Sequence, residues 1–263
     1  LGDKSGYHST DLQPPDDNPW SWISFMFPSW VTFPPAQRHL EVMDWVWRIR
    51  PGLPLRPFVA IWPRGGGKSS TAELGCVLTG CRATVNYVLY VRATQDAAND
   101  SVANIGALLG SKSVEQYYPL IAERSVNQFG TPKGWRRNRL HTQSGFVVDG
   151  IGLDSAARGA RVEEYRPGMI IFDDIDDVND SAEATTKKLS IIAKTIIPMG
   201  TGSTAIMFLQ NRILYDGAIS RIAGLGRTKT DVLSNRILSG PFKAVENMIL
   251  SEPEIQPDGA KIY

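Results

Sequence analysis

Pro63-Arg64-Gly65-Gly66-Gly67-Lys68-Ser69-Ser70 follows an apolar run at 58–62 and opens a helical stretch at 68–78. Strand, glycine-rich turn and helix in that order are the setting that a phosphate-binding loop requires. Consecutive glycines at 65–67 let backbone N–H groups turn inward around phosphate oxygens, and the helix start adds its positive end. Lys68 is then expected to reach the β- and γ-phosphates of ATP, and the Ser69 hydroxyl to ligate Mg²⁺. Arg64, Gly65, Gly66, Gly67 and Ser70 complete the expected cradle. Trp62 stands where the standard spacing has its first glycine. Arg64 lies inside the loop, beside the expected γ-phosphate, and reads as a phosphate sensor more than as a surface arginine at a turn.

Outward from the loop, short apolar runs alternate with helical stretches. The runs are 58–62, 87–91, 169–172 and 205–209, and the helical stretches are 68–78, 96–109, 183–196 and 216–223. Such alternation predicts an α/β fold with a mainly parallel central sheet flanked by helices. Residues 139–142 and 146–150 flank Gln143-Ser144-Gly145 and predict a hairpin. A further helix is expected over 37–50, with Leu40, Met43, Val46 and Trp47 on one face. Residues 1–36 carry Pro14, Pro15, Pro19, Pro28, Pro34 and Pro35 among Trp20, Trp22 and Trp30, and read as an arm that packs by its aromatics. The expected divisions are an N-terminal arm and helix over 1–50, a core over 51–225, and a lid or linker tail over 226–263.

Met169-Ile170-Ile171-Phe172-Asp173-Asp174 is an apolar strand that delivers two carboxylates at its C-terminal end, the edge where ligands sit in open α/β sheets. Asp173 is expected to hold Mg²⁺ and Asp174 to orient or deprotonate the attacking water. The second position is usually glutamate. With one methylene fewer, either the water comes closer to Asp174 or Asp176 shares the work. Asp176, Asp177 and Asp180 read more as a solvated acidic loop than as catalytic groups.

Global properties exclude more than they specify. An apolar share of 42% and a charged share of 21% suit a globular protein with a real core. The net charge of +1 leaves any nucleic-acid surface to a local patch. Cys76 and Cys81 have no zinc-type spacing to other ligands and read as buried, reduced thiols. No apolar run approaches a membrane span and no signal layout opens the chain, so a cytoplasmic setting is expected.

In order along the chain, the motifs resemble the ATPase domain of the large terminase subunit of tailed bacteriophages, over roughly 34–221. Pro35-Ala36-Gln37 looks like the family's adenine-reading segment, which assigns Gln37. The loop through Ser69 is similar to the family's arginine-bearing phosphate loop. Tyr90-Val91-Arg92-Ala93-Thr94 before an alanine-rich helix looks like its second helicase-type motif. Ser144-Gly145, Gly150-Ile151-Gly152 and Ala157-Arg158-Gly159-Ala160-Arg161 then lead to the Asp-Asp strand. The resemblance implies a phosphate-loop NTPase of the additional-strand type with a small N-terminal or lid subdomain. It also implies a coupling role at the end of the 205–209 strand. There Gln210-Asn211-Arg212 departs from the family's small pair, and the role carries to Asn211. Arg158, ahead of Arg161, becomes a candidate arginine finger reaching a neighbouring subunit, with a surface loop arginine as the alternative.

The partners so implied are double-stranded DNA, a portal protein, the small terminase subunit and further copies in a homo-oligomeric ring, in the host cytoplasm. The family's nuclease domain has no counterpart here, because only about forty residues follow the last ATPase helix and their acids lie in a Pro-rich tail. No nuclease activity is expected. Lys133, Arg136, Arg137 and Arg139 with Trp135 form a basic cluster that suits DNA, a portal or plain solvation equally. A GTPase is a rival reading, from Asp149-Gly150-Ile151-Gly152 and Thr228-Lys229-Thr230-Asp231, but it leaves the Asp-Asp strand unexplained. A helicase-like translocase would need a second motor domain. A nucleotide-binding module without hydrolysis would keep Lys68 and tolerate Asp174.

Overall fold

The computed structural model describes residues 13–31, 34–126, 136–156, 166–243, 254–255 and 261–262. In chain order the elements are α1 (Pro19–Met26), α2 (Gln37–Trp47), β1 (Phe58–Ile61), α3 (Lys68–Cys81), β2 (Tyr87–Arg92), α4 (Gln95–Leu109), α5 (Lys112–Tyr117) and α6 (Pro119–Ala122). There follow β3 (Arg139–His141), β4 (Val147–Gly152), α7 (Leu153–Ala156), β5 (Met169–Asp173), α8 (Ala182–Ile191), β6 (Ala205–Gln210), α9 (Ala218–Ile222), β7 (Ile237–Ser239), β8 (Glu254–Ile255) and β9 (Lys261–Ile262).

Seven strands form one sheet in the order β3-β4-β2-β5-β6-β1-β7. Every pairing in it is parallel except β3 with β4, the expected hairpin, which closes through Gly145 at φ +85°. β6 lies between the phosphate-loop strand β1 and the acidic strand β5. That inserted strand defines the additional-strand class of phosphate-loop NTPase folds, so the fold is the one the sequence predicts. A separate antiparallel pair joins β8 to β9.

The strands are apolar on both sides because helices cover both faces of the sheet. Side chains alternate: Tyr90, Ile171 and Met207 join the core beneath α1–α4, while Leu89, Val91, Phe172 and Phe208 join the core beneath α8 and α9. Phe172 and Phe208 stack in parallel with centroids 4.3 Å apart, which adds about 0.5–1.5 kcal/mol beyond their burial and locks β5 to β6 just before the acidic end. Cys76 and Cys81 are buried and unbridged. Among the described residues no helix is long and apolar enough to cross a membrane.

Several boundaries shift for local reasons. α4 starts one residue before the expected 96, because the Thr94 hydroxyl caps it by accepting from Ala97 N–H at 3.3 Å. The 183–196 stretch is α8 followed by a π-helical turn at Ile192–Ile196, and a 3-10 turn at Ile197–Met199 that contains Pro198 ends the helical run before Gly200. The N-terminal arm contributes a true helix, α1, whose Trp22 is buried and donates to the Tyr118 hydroxyl at 3.0 Å. Part of the expected lid or linker tail is β7, an edge strand parallel to β1, too short for its pattern to be read from sequence. Gly152 ends β4 where any Cβ would lie 2.1 Å from the Gln95 nitrogen, so this crossing with α4 admits only glycine.

Candidate active site

β1 hands directly into the phosphate loop. Trp62 N–H donates to the Gln210 carbonyl at 3.0 Å, continuing the β1–β6 ladder one residue past the strand. The loop then turns through Gly65 at φ +76° and Gly67 at φ +72°, values that glycine adopts without strain. Lys68 begins α3 and is buried, its ammonium donating back to the Pro63 carbonyl at 3.0 Å. Burial lowers the Lys68 pKa; Asp174 and Asp173 oppose that shift, and Arg64 adds to it. Arg64 and Ser70 are exposed and Ser69 is half-buried.

β5 brings Asp173 to the same edge. It has no solvent exposure, and its Oδ2 accepts from the Tyr90 hydroxyl at 3.1 Å and pairs with Arg92 Nη1 at 3.0 Å. Desolvation raises its pKa, and Asp174 raises it further. Arg92, Ser69 and Tyr90 favour the ionised form. Asp174 follows at φ +45°, a left-handed conformation uncommon for a residue with a side chain and frequent where function holds the backbone. Its N–H donates to the Leu209 carbonyl at 3.1 Å, and its Oδ2 is 3.9 Å from Arg92 Nη2.

Asp173 Oδ1 and Asp174 Oδ1 are buried and have no hydrogen-bond partner among the described residues. Two orphaned carboxylate oxygens are costly unless a cation or water completes them. They share the site with Lys68, and Ser69 stands near enough to Asp173 to favour its charge. The loop opposite is open at Gly65, where an added Cβ would meet nothing within 4 Å. This donor set fits Mg²⁺ held by Ser69 and Asp173 beside a nucleotide phosphate chain.

The structure also brings together residues that sequence reasoning did not assign. His39, in the first turn of α2, accepts from Ala36 N–H through Nδ1 at 3.1 Å. Nε2 therefore carries the proton and donates to the Gly66 carbonyl at 3.0 Å, tying α2 to the phosphate loop. Gln37 is exposed two residues earlier, at the start of the same helix. Gln210 is buried at the end of β6, and its side-chain carbonyl accepts from Ile175 N–H at 2.6 Å and Asp176 N–H at 3.2 Å. Asn211 beside it is half-buried and lies 3.4 Å from Gln210 Nε2. The buried amide that holds the chain just after Asp174 is thus Gln210, the neighbour of Asn211.

Asp176 is not a solvated loop residue. It is buried, and its carboxylate accepts from Ala218 N–H at 2.9 Å and Ile219 N–H at 3.1 Å, joining the exit of β5 to the first turn of α9. Burial raises its pKa against those backbone bonds. Asp180 binds Lys188, and Asp177 is exposed. The Asp-x-x-Gly of the GTPase rival lies inside β4, two strands from β5. Its Asp149 is spent on Arg139 and the Tyr87 hydroxyl. Arg158, Arg161, Lys133 and Trp135 lie outside the described residues.

Tyr90 and Arg92 alternate along β2, so both point to one face, and Arg92 closes its strand as Asp173 closes β5. That polar end to an apolar run was the available signal. What it lacked was the knowledge that β2 and β5 are neighbours.

No family model and no curated protein sequence matches the chain. Among solved structures, it is similar to a mutant of the large terminase ATPase domain of Thermus phage P74-26, with 15% identity and a TM-score of 0.49 over 76% of this chain and 70% of that one. It is similar to the N-terminal domain of the DNA packaging ATPase of bacteriophage phi29, with 16% identity and a TM-score of 0.43 over 71% of this chain and 90% of that one. S. cerevisiae dbp5, bound to nup159, gle1, IP6 and ADP, is similar over 82% of this chain and 50% of that one, with 11% identity and a TM-score of 0.45. In structure, the chain is similar to the ATPase domains of phage large terminases at low sequence identity.

Proposed function

We propose that this chain hydrolyses ATP with Mg²⁺ and that it is the motor domain that drives double-stranded DNA into a viral procapsid. One observation carries the ATPase reading. The phosphate loop of β1 and the orphaned carboxylate oxygens of Asp173 and Asp174 meet at one edge of the sheet, across a single inserted strand. Lys68 and the loop backbone bind the phosphates, and Ser69 and Asp173 hold the metal. Mg²⁺, when bound, neutralises charge that develops on the phosphate oxygens. Asp174 orients the attacking water and takes its proton as the γ-phosphoryl group leaves ADP. Gln37 reads adenine, and Arg64 responds to the γ-phosphate.

The packaging role rests on the order of motifs from Pro35-Ala36-Gln37 to the end of β6, which resembles that of large terminases. On that reading Arg158 or Arg161 reaches the ATP of a neighbouring copy in a ring, and Asn211, with Gln210 behind it, couples hydrolysis to movement. The portal protein, the small terminase subunit and DNA are the partners.

Turnover of ATP and of GTP, measured against protein concentration for the native chain and Arg158→Ala, tests this. A rate per subunit that climbs with concentration, prefers ATP and collapses in the variant is the expected result. A preference for GTP would overturn the terminase reading, and a concentration-independent rate that ignores Arg158 would remove the finger assignment.

A further inference from the structure

We infer that Arg212, Tyr215 and Arg227 form a contact for the phosphate backbone of nucleic acid at the exit of β6. The inference deepens the motor reading and rests on it. Tyr215 is 61% exposed, yet two guanidiniums lie against its ring, with Cζ 4.7 Å (Arg212) and 5.1 Å (Arg227) from the centroid. Like charges gathered on one surface ring repel each other, and exposed cation–π attraction is worth only about 0.5–1 kcal/mol.

No carboxylate among the described residues is paired with either arginine. The neighbouring Asp216 is committed to Arg221 at 3.0 Å and to the Thr228 N–H and hydroxyl at 3.0 and 2.8 Å. The fork of Arg212 is also fixed in place. Its Nη2 donates to the Tyr215 and Leu225 carbonyls at 3.3 and 3.2 Å, and its Nε to the Ser220 hydroxyl at 3.3 Å. Nη1 has no hydrogen-bond partner among the described residues. A pre-positioned, unneutralised guanidinium pair is a site for a polyanion. Because guanidiniums occupy the ring, the contact suits phosphates rather than stacked bases and carries no sequence preference.

Its place in the fold connects it to hydrolysis. Arg212 lies two residues beyond Gln210, which holds the backbone of Ile175 and Asp176. Ser220, bonded to Arg212, belongs to α9, whose first turn is held by Asp176. Force on the arginines therefore bears on the chain just after Asp174.

The test is duplex binding, by anisotropy of a labelled random-sequence DNA across a salt series, with Tyr215→Ala, Arg227→Ala and Arg227→Glu. These side chains are exposed and outside the ATP site, so turnover without DNA and the urea midpoint stay at native values. Arg227→Ala should lower the log–log salt slope by about 1 and weaken binding roughly 3–10-fold at low salt, with charge reversal weaker still. Tyr215→Ala should weaken binding by releasing the Arg227 guanidinium from the ring, while Arg212 stays held by the Ser220 hydroxyl and the Leu225 carbonyl. Variants that bind like the native chain with an unchanged slope would overturn the inference and leave the motor reading standing. A native chain that binds no duplex would overturn the DNA reading itself, and this contact with it. Lost self-association in sedimentation with DNA binding intact would make the patch an interface between copies, again overturning it.

Discussion

Arg92 Nη1 stands 3.0 Å from the Oδ2 of fully buried Asp173, and its Nη2 stands 3.9 Å from Asp174, so one guanidinium from β2 spans both carboxylates at the end of β5. Without it, Asp173 would be a buried anion with no cation beside it on the β2 side. Arg92→Met is therefore expected to cost about 3–5 kcal/mol of folding stability. Arg92→Lys keeps the charge but not the fork, and should fall between that variant and the native chain. Urea unfolding near neutral pH measures both, and a midpoint unmoved in Arg92→Met would mean that the pair contributes no net stability.

Glu73 lies on α3 in contact with the same network. It is 3% exposed and accepts from Asn104 Nδ2 at 3.1 Å. Burial, first, and then Asp173 push its pKa from 4.5 to about 7, against Asn104, Arg92 and Ser101. A carboxyl with a raised value in the folded state binds its proton more tightly there than in the unfolded chain. Its stabilising contribution is full below pH 4.5 and is lost as the pH rises through about 7. Glu73→Gln cannot ionise, so across that interval it should gain about 1–3 kcal/mol relative to the native chain. Denaturation at the two ends of the interval reads the difference directly, and a gap that does not change with pH would contradict the assignment.

On the proposed mechanism, Asp174→Asn preserves shape while removing the base. ATP turnover is expected to fall about 10²–10⁴-fold, with nucleotide affinity held within a few-fold. Lys68→Ala should instead weaken binding itself. A fluorescent nucleotide titration beside steady-state turnover separates the two. Full activity in Asp174→Asn would move the base elsewhere, and Asp176 is a poor substitute while it caps α9.

Gln210 and Asn211 should respond differently to removal. Gln210→Leu would leave the buried Ile175 and Asp176 N–H groups without their acceptor, a loss of about 1–3 kcal/mol. Asn211→Ala, at a half-buried position, should stay within about 0.5 kcal/mol of native stability. Equal urea midpoints for the two variants would mean that the Gln210 bonds do not anchor the loop.

Much of the fold was legible because its signals are local. Triple glycine followed by Lys68 marks a turn into a helix. Apolar runs of strand length fall between helical stretches, and Gln143-Ser144-Gly145 marks the hairpin. The burial of Asp176 was not legible. Among Asp177, Asn179 and Asp180 it looks like one more solvated acid, and only the arrival of α9, more than forty residues on, gives its carboxylate two N–H groups to bind. The contact of His39 with Gly66 was hidden in the same way, since it joins residues 27 apart across two elements.

The amino-acid order by itself determined the phosphate loop, the strand that ends in Asp173 and Asp174, and a parallel sheet covered on both faces. Glycine geometry and side-chain periodicity act over a few residues and need no partner to be read. Only the tertiary structure decided that β6 separates β1 from β5, that Arg92 and Tyr90 serve Asp173, and that Gln210 holds the loop after Asp174. Those pairings follow from which buried faces fit together across the whole chain, and the energy of burial depends on neighbours that the local sequence does not name.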